Sequence, residues 1–325
     1  MSLPLIEITT DKHGLPALRL TGEVTLVVPL ARSSAHPLTM EMVVTLPDQL
    51  QTDYGSELPE TWSTQAAWDN VIQLKTGTTE MDRAARFALS LYGWLAGASL
   101  AGAEPAQWLA NQLPPIERLP GQTTETIWTV LEGRPDDELR LIGAVADQPH
   151  GQQAWEIMDQ NQPLGVRGGH QEIWMNDLPT DLTTAIERLA KVAVPAIWLR
   201  PKSTPDWPKL AAVLKPAVVV DPYPLRAESD WRRLKLELTG RRLATTVWAS
   251  DGLLEGEALP TDLLHGICWL PTRYRTLSDF LATWREAAAK GWRSMLVEPE
   301  TATDAAWLTD LAAAIGADYV WRGRA

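Results

Sequence analysis

The chain reads as an α/β protein in two parts: a small α+β domain over residues 1–112, then a parallel-sheet α/β domain over residues 113–325. Three observations predict this. The first part opens with strand-like segments and then turns to Ala- and Leu-rich helical sequence. In the second part short apolar runs start about 20 to 30 residues apart with amphipathic stretches between them, the period of a strand–loop–helix unit. These runs are apolar throughout rather than alternating, as in strands covered on both faces.

The elements follow in order. Leu5–Thr9, Ala17–Leu20 and Val24–Val28 read as strands, with His13-Gly14 turning between the first two. A polar, Pro-containing stretch around Thr52–Ser63 comes next. Helix is predicted over Met81–Asn111, where Phe87, Leu91, Trp94 and Leu95 recur at helical spacing. Glu125–Leu131 and Leu139–Val145 are weaker strand candidates. Clear strands are Ala196–Leu199, Ala217–Val220, Thr245–Ala249, Gly266–Leu270, Ser294–Val297 and Tyr319–Trp321. Thr276 with Asp279, and Thr301 with Asp304, have the spacing of helix N-terminal caps. Apolar helix positions follow each pair, Phe280, Leu281 and Trp284 in one case, Trp307, Leu308 and Leu311 in the other. Gly291 and Gly316 stand where each helix should stop. The sheet can close as a (β/α)8 barrel or stay open and doubly wound. No Gly-rich phosphate loop follows its first strand, which weighs against a dinucleotide site.

Composition excludes several classes. With 45% hydrophobic and 22% charged residues in 325, the chain is neither disordered nor of low complexity. A net charge of −12 argues against nucleic acid or anionic membrane as partner. Cys268 has no second cysteine to pair with and fits a reducing compartment. No apolar run reaches membrane length, and Met1–Leu20 lacks the basic start and apolar core of a signal peptide. The expectation is a cytoplasmic protein.

Several segments, in order, resemble a known family. Thr10-Asp11-Lys12-His13-Gly14-Leu15-Pro16 is similar to the aspartate-x-x-glycine-asparagine-proline turn that opens enolases. Val28-Pro29-Leu30-Ala31-Arg32-Ser33-Ser34-Ala35 resembles their mobile loop, and Phe87 to Pro105 their long capping-domain helix. Gly165-Val166-Arg167-Gly168-Gly169 falls where the family has glycine-aspartate-glutamate-glycine-glycine. Asp221 with Ser229-Asp230-Trp231, Ile267 to Asp279, and Asp304 to Gly323 match later barrel segments. The resemblance implies a small α+β N-terminal capping domain (1–112), an enolase-type (β/α)8 barrel (113–325), and a homodimer.

The same resemblance implies that the family's chemistry is gone. Enolases dehydrate 2-phosphoglycerate with a lysine base, a glutamate and Mg2+ ions that stabilise an enolic intermediate. Leu270 matches the base lysine, and an aliphatic chain accepts no proton. Arg167 matches a catalytic glutamate, with reversed charge; Val130 is the best match for the other. Leu199 and Val220 match two metal-binding carboxylates, and Ser250 or Asp251 the third. Glu298, Pro299 and Glu300 replace a histidine-arginine-serine triplet, and Trp321 replaces a second lysine. Ser33, with Ser34 beside it, survives in the loop that closes over a metal. The implied protein is a binding, regulatory or structural one, with no cofactor expected.

The residues leave one candidate pocket. In a barrel, function belongs to the loops at the C-terminal strand ends. Those ends carry Arg200 with Lys202, Asp221, Asp251, Glu298 with Glu300, and Arg322, joined by Arg167. Such a ring can hold a small polar ligand, or fill a vacated pocket with salt bridges. Its acids would bind Mg2+ only in a rebuilt active site, making the protein a metal-dependent lyase-type enzyme. A further alternative is a likeness to phosphopyruvate hydratases in fold alone. His13, His36, His150, His170 and His265 lack close ligand spacing. Trp198, Trp248, Trp269 and Trp321, on predicted strands, read as core filling. Cys268, within an apolar strand, reads as a buried small hydrophobe.

Overall fold

A computed structural model of the chain describes residues 4–10, 14–30, 43–54, 63–73, 80–113, 125–127, 130–132, 140–142, 172–175, 196–199, 217–220, 232, 236, 245–252, 264–297 and 306–321. Two compact units emerge. One comprises Met1–Thr124, Leu270–Ala287 and Glu298–Ala317; the other comprises Glu125–Trp269, Ala288–Val297 and Asp318–Ala325.

The first unit begins with an antiparallel meander of β1 (Leu5–Thr10), β2 (Pro16–Thr21) and β3 (Thr25–Pro29). Alternation in β2 buries Leu18 and Leu20 and exposes Arg19, as a half-covered strand requires. Helices α1 (Leu46–Tyr54), α2 (Gln65–Gln73), α3 (Glu80–Leu100) and α4 (Pro105–Ala110) follow. Phe87, Leu91 and Trp94 of α3 are fully buried, as their spacing predicts. Trp68 of α2 donates its indole N–H to the Leu89 carbonyl at 2.9 Å and lies against Gly93, where a Cβ has no room.

The helix predicted over 81–111 is interrupted. Gly102 takes a left-handed φ of 62° and Pro105 opens α4, so Ala103 N–H turns back to the Ala98 carbonyl at 3.0 Å. The glycine supplies a conformation that side chains disfavour, and the proline suits a first helical position. Helices α5 (Leu277–Ala289) and α6 (Ala306–Ile315) end as expected, with Gly291 and Gly316 left-handed at φ 76° and 68°. Trp307 of α6 meets Phe87 edge-on, with ring centroids 6.0 Å apart.

The second unit is one sheet of ten described strands: β4 (Glu125–Ile127), β5 (Val130–Glu132), β6 (Arg140–Ile142), β7 (Glu172–Met175), β8 (Ala196–Leu199), β9 (Ala217–Val220), β10 (Thr245–Ser250), β11 (Leu264–Trp269), β12 (Arg293–Val297) and β13 (Tyr319–Trp321). Their order is β4-β13-β12-β11-β10-β9-β8-β7-β5-β6. Neighbours are parallel except β5 with β6. The two sides of the run thus lead back to β4 and β5, which only residues 128 and 129 separate. Strand β7 was not among the predicted strands: its apolar run, Ile173-Trp174-Met175, is too short to stand out beside Gly168-Gly169. Val247, Ala249, Ile267, Met295, Leu296 and Val320 are fully buried, on alternating positions of both faces. That is why these strands read as continuous apolar runs.

Candidate functional site

The register sets which residues share a face at the C-terminal strand ends. Val220, Trp248 and Gly266 form one row, and Ser250, Cys268, Met295 and Tyr319 form another of the same parity. His265 is exposed and occupies a bulge between Val247 and Trp248, its Nδ1 accepting the Val247 N–H at 3.1 Å. The extra residue lies on β11, the strand that such a bulge bends.

This face is filled by large side chains. Trp248, 2% exposed, lies flat over Gly266, where a Cβ would come within 2.6 Å of the ring. Its ring meets Tyr319 edge-on at 5.9 Å, although β11 and β12 lie between their strands. At about 4.8 Å per strand those backbones would stand roughly 14 Å apart in a flat sheet, so this face is concave. Cys268 Sγ lies 3.9 Å from Met295 Sδ on the same face, buried as expected of a small hydrophobe. Trp269 points to the opposite face, its indole N–H donating to Ser294 Oγ at 3.3 Å. Both tryptophans are core, as expected.

At the opposite, N-terminal strand ends, Asp318 accepts from Arg293 Nε and from Ser294 N–H, both at 2.9 Å, and Arg293 donates to the Tyr319 hydroxyl at 3.0 Å. Burial pulls the guanidinium pKa down most strongly. Asp318 and Tyr319 together outweigh that and hold it above its ordinary value. Charge at this end of a parallel sheet reads as stability.

Of the predicted pocket, the structure places Asp251, buried at 3% exposure just beyond β10. Arg167, Arg200, Lys202, Asp221, Glu298, Glu300, Arg322, Ser33 and Ser34 lie outside the described residues. So do His13, His36, His150 and His170. Leu270, extended at φ −106°, continues the β11 alternation from Cys268. Leu199 pairs with Val219 while Val220 pairs with Trp248, so positions 199 and 220 fall in rows of opposite parity. The two carboxylate positions read from the resemblance therefore do not share a face, a one-residue slip in register. Of the residues flanking these two positions, Trp198, Arg200 and Val219 are not carboxylates and Asp221 is. Among the described residues no three His, Cys, Asp or Glu side chains gather to hold a metal, and the described carboxylates at these strand ends are Asp251, after β10, and Glu132, at the end of β5.

A second buried polar cluster escaped the sequence reading. Asp69 of α2, 1% exposed, accepts at Oδ1 from Gln65 Nε2 (2.9 Å) and the Ser90 hydroxyl (2.6 Å), and at Oδ2 from Ser278 N–H (2.9 Å). Ser90 Oγ accepts the Leu277 N–H at 2.8 Å, and Thr276 Oγ1 the Asp279 N–H at 3.1 Å. The first three amides of α5 are thus capped, two of them by distant side chains. Burial raises the Asp69 carboxyl above its ordinary pKa, against the lowering effect of its hydrogen bonds. The Thr276–Asp279 spacing was legible; the partners from α2 and α3 left no local signal.

No protein-family model matches the sequence, and no curated protein does. Solved structures do. Methylaspartate ammonia lyase of Citrobacter amalonaticus, containing (2S,3S)-3-methylaspartic acid, aligns over 94% of this chain and 81% of its own, with TM-score 0.59 and 12% identity. β-Methylaspartase of Clostridium tetanomorphum, as a Mg complex, aligns over 94% and 80%, with TM-score 0.60 and 11% identity. Identities this low show the fold alone. The chain thus shares a mixed α/β fold with these two lyases.

Proposed function

We propose that this protein is a non-catalytic relative of the enolase superfamily, a binding, regulatory or structural homodimer of the cytoplasm that has lost dehydration of 2-phosphoglycerate. One observation carries the reading: strands β9 to β12 lead at their C-terminal ends to Val220, Ser250, Leu270 and Val297, above a face packed with Trp248, Met295 and Tyr319. Glu132, ending β5, is the one described carboxylate of that parity there. Removing a proton beside a carboxylate needs a base and a charge-stabilising group. Aliphatic side chains supply neither.

The same reading takes residues 125–132 as a shared first strand that closes the sheet into a barrel, with a capping domain ending near residue 112. The concave face and the return of the strand order to β4 and β5 support closure. A small polar ligand would meet Arg167, Arg200, Lys202 and Arg322, with Asp221, Asp251, Glu298 and Glu300 around it.

The lyase names of the structural neighbours favour a second reading, an ammonia-lyase-type enzyme with a rebuilt, metal-dependent site. Its base and ligands would come from Asp221, Asp251, Glu298 and Glu300. A thermal-shift screen with Mg2+, phosphorylated metabolites and amino dicarboxylates separates the two. The non-catalytic reading expects no shift with Mg2+ alone, and a stabilisation by Mg2+ that Asp251→Asn abolishes would replace it with the second. Sedimentation velocity tests the dimer, a monomer contradicting it.

A further inference from the structure

We propose that Asp69 and Ser90 form a proton-sensitive latch on residues 270–276, the loop leaving β11, acting through the first turn of α5. The loop is anchored in sequence by Trp269 at one end and by α5 at the other. The hold on α5 comes from across the chain: Ser278 N–H to Asp69 spans 209 residues, and Leu277 N–H to Ser90 spans 187. Releasing either bond frees the helix start and, with it, the turn Pro271–Arg273 that precedes it.

Two features make this a latch rather than an inert cap. First, the atoms contacting the Asp69 carboxylate belong to neutral groups, Gln65, Ser90 and Ser278. A carboxylate buried on neutral partners regains hydration when they separate, so ionisation favours the open loop and protonation the closed one. Second, the network is unevenly satisfied. Gln65 Nε2 lies within reach of three acceptors, Asp69 Oδ1, the Ser90 carbonyl and Ser90 Oγ, while Gln65 Oε1 is buried with no donor. Half-satisfied buried networks close by narrow margins. The other ionisable groups on the surrounding elements are Glu80, Asp82, Arg83, Arg86 and Tyr92 of α3, Arg273, Tyr274 and Arg275 of the loop, and Asp279, Arg285 and Glu286 of α5. The sign follows from the raised closed-state pKa. The contribution of Asp69 to closure is complete below the ordinary value of 3.8 and is lost as pH rises through the closed-state value. The latch tightens in acid.

Hydrogen exchange of the full chain, measured by mass spectrometry between about pH 4 and 8 and corrected for intrinsic exchange, tests it. In the native chain protection of residues 277–281 should fall with rising pH while that of β12 stays level. Asp69→Asn should remove that slope. Ser90→Ala should lower protection of 277–281 on the order of ten- to a hundredfold at every pH, keeping the slope. Protection of 277–281 that is independent of pH in the native chain, or that moves in parallel with β12, overturns the latch. The native profile decides even if a variant fails to fold.

Discussion

Gly266→Ala probes the packing that fills the candidate site. The new methyl would stand 2.6 Å from Cε3 and Cζ3 of Trp248 and 2.7 Å from Cη2. Carbon atoms rest about 3.5 to 4.0 Å apart, so the ring must retreat by roughly 1 Å. It has nowhere to go: it is 2% exposed, and Tyr319 abuts it at 5.9 Å. Overpacking of this kind costs about 1–3 kcal/mol. Trp248→Ala alone should cost about 3–5 kcal/mol by leaving a cavity. In that background the methyl has room, and the cost of Gly266→Ala should fall to a few tenths of a kcal/mol, giving a coupling of about 1–3 kcal/mol. Equilibrium urea unfolding of the four proteins measures this, followed by far-ultraviolet circular dichroism because one variant pair lacks a tryptophan. An equal cost for Gly266→Ala in both backgrounds would refute the placement of Trp248 over Gly266, and with it the filled concave face.

Other perturbations follow from the same structure. Asp318→Ala removes the acceptor of Ser294 N–H and of Arg293, and should destabilise by about 1–3 kcal/mol in the same unfolding assay. Tyr92→Phe deletes the hydroxyl that accepts the Glu23 N–H at 3.1 Å, and should cost about 0.5–1.5 kcal/mol. Asp310 is raised by burial and then by Glu104, so its contribution is complete below pH 3.8 and lost as pH rises through its folded value. Asp310→Asn should therefore be more stable than the native chain at neutral pH, with the difference shrinking in acid; a difference that grows in acid would reverse that sign. Calorimetric titration with Mg2+ should detect no tight site, since Leu199 and Val220, matched to metal-binding carboxylates, offer no oxygen ligand.

Much of the fold was legible because parallel strands buried on both faces announce themselves as apolar blocks. Ala196–Leu199, Ala217–Val220 and Tyr319–Trp321 are strands over the residues predicted. Periodicity ran through Gly102, although that glycine and Pro105 are visible stop and start signals. Asp69 was invisible for a different reason. Two of its three partners lie 21 and 209 residues away, and no local pattern marks a cap supplied from another helix. Of the site, the character of the strand ends could be read: Cys268, Trp248 and Trp269 are buried where apolar strands put them. Their parity could not, because similarity to a family places residues along a strand and hydrogen-bond register decides which side they take. Positions 199 and 220 show the difference.

A relative that has lost its chemistry should turn over neither substrate, and a turnover assay reads this directly. Purified protein with Mg2+ is given 2-phosphoglycerate, and in parallel 3-methylaspartate, while ultraviolet absorbance follows the unsaturated product. No product above the enzyme-free rate is expected with either substrate. Leu270→Lys should give none either, because a restored amine would find no metal-bound substrate to deprotonate. Turnover by the native chain that Asp221→Asn or Glu298→Gln abolishes would show the chemistry moved to new residues rather than lost.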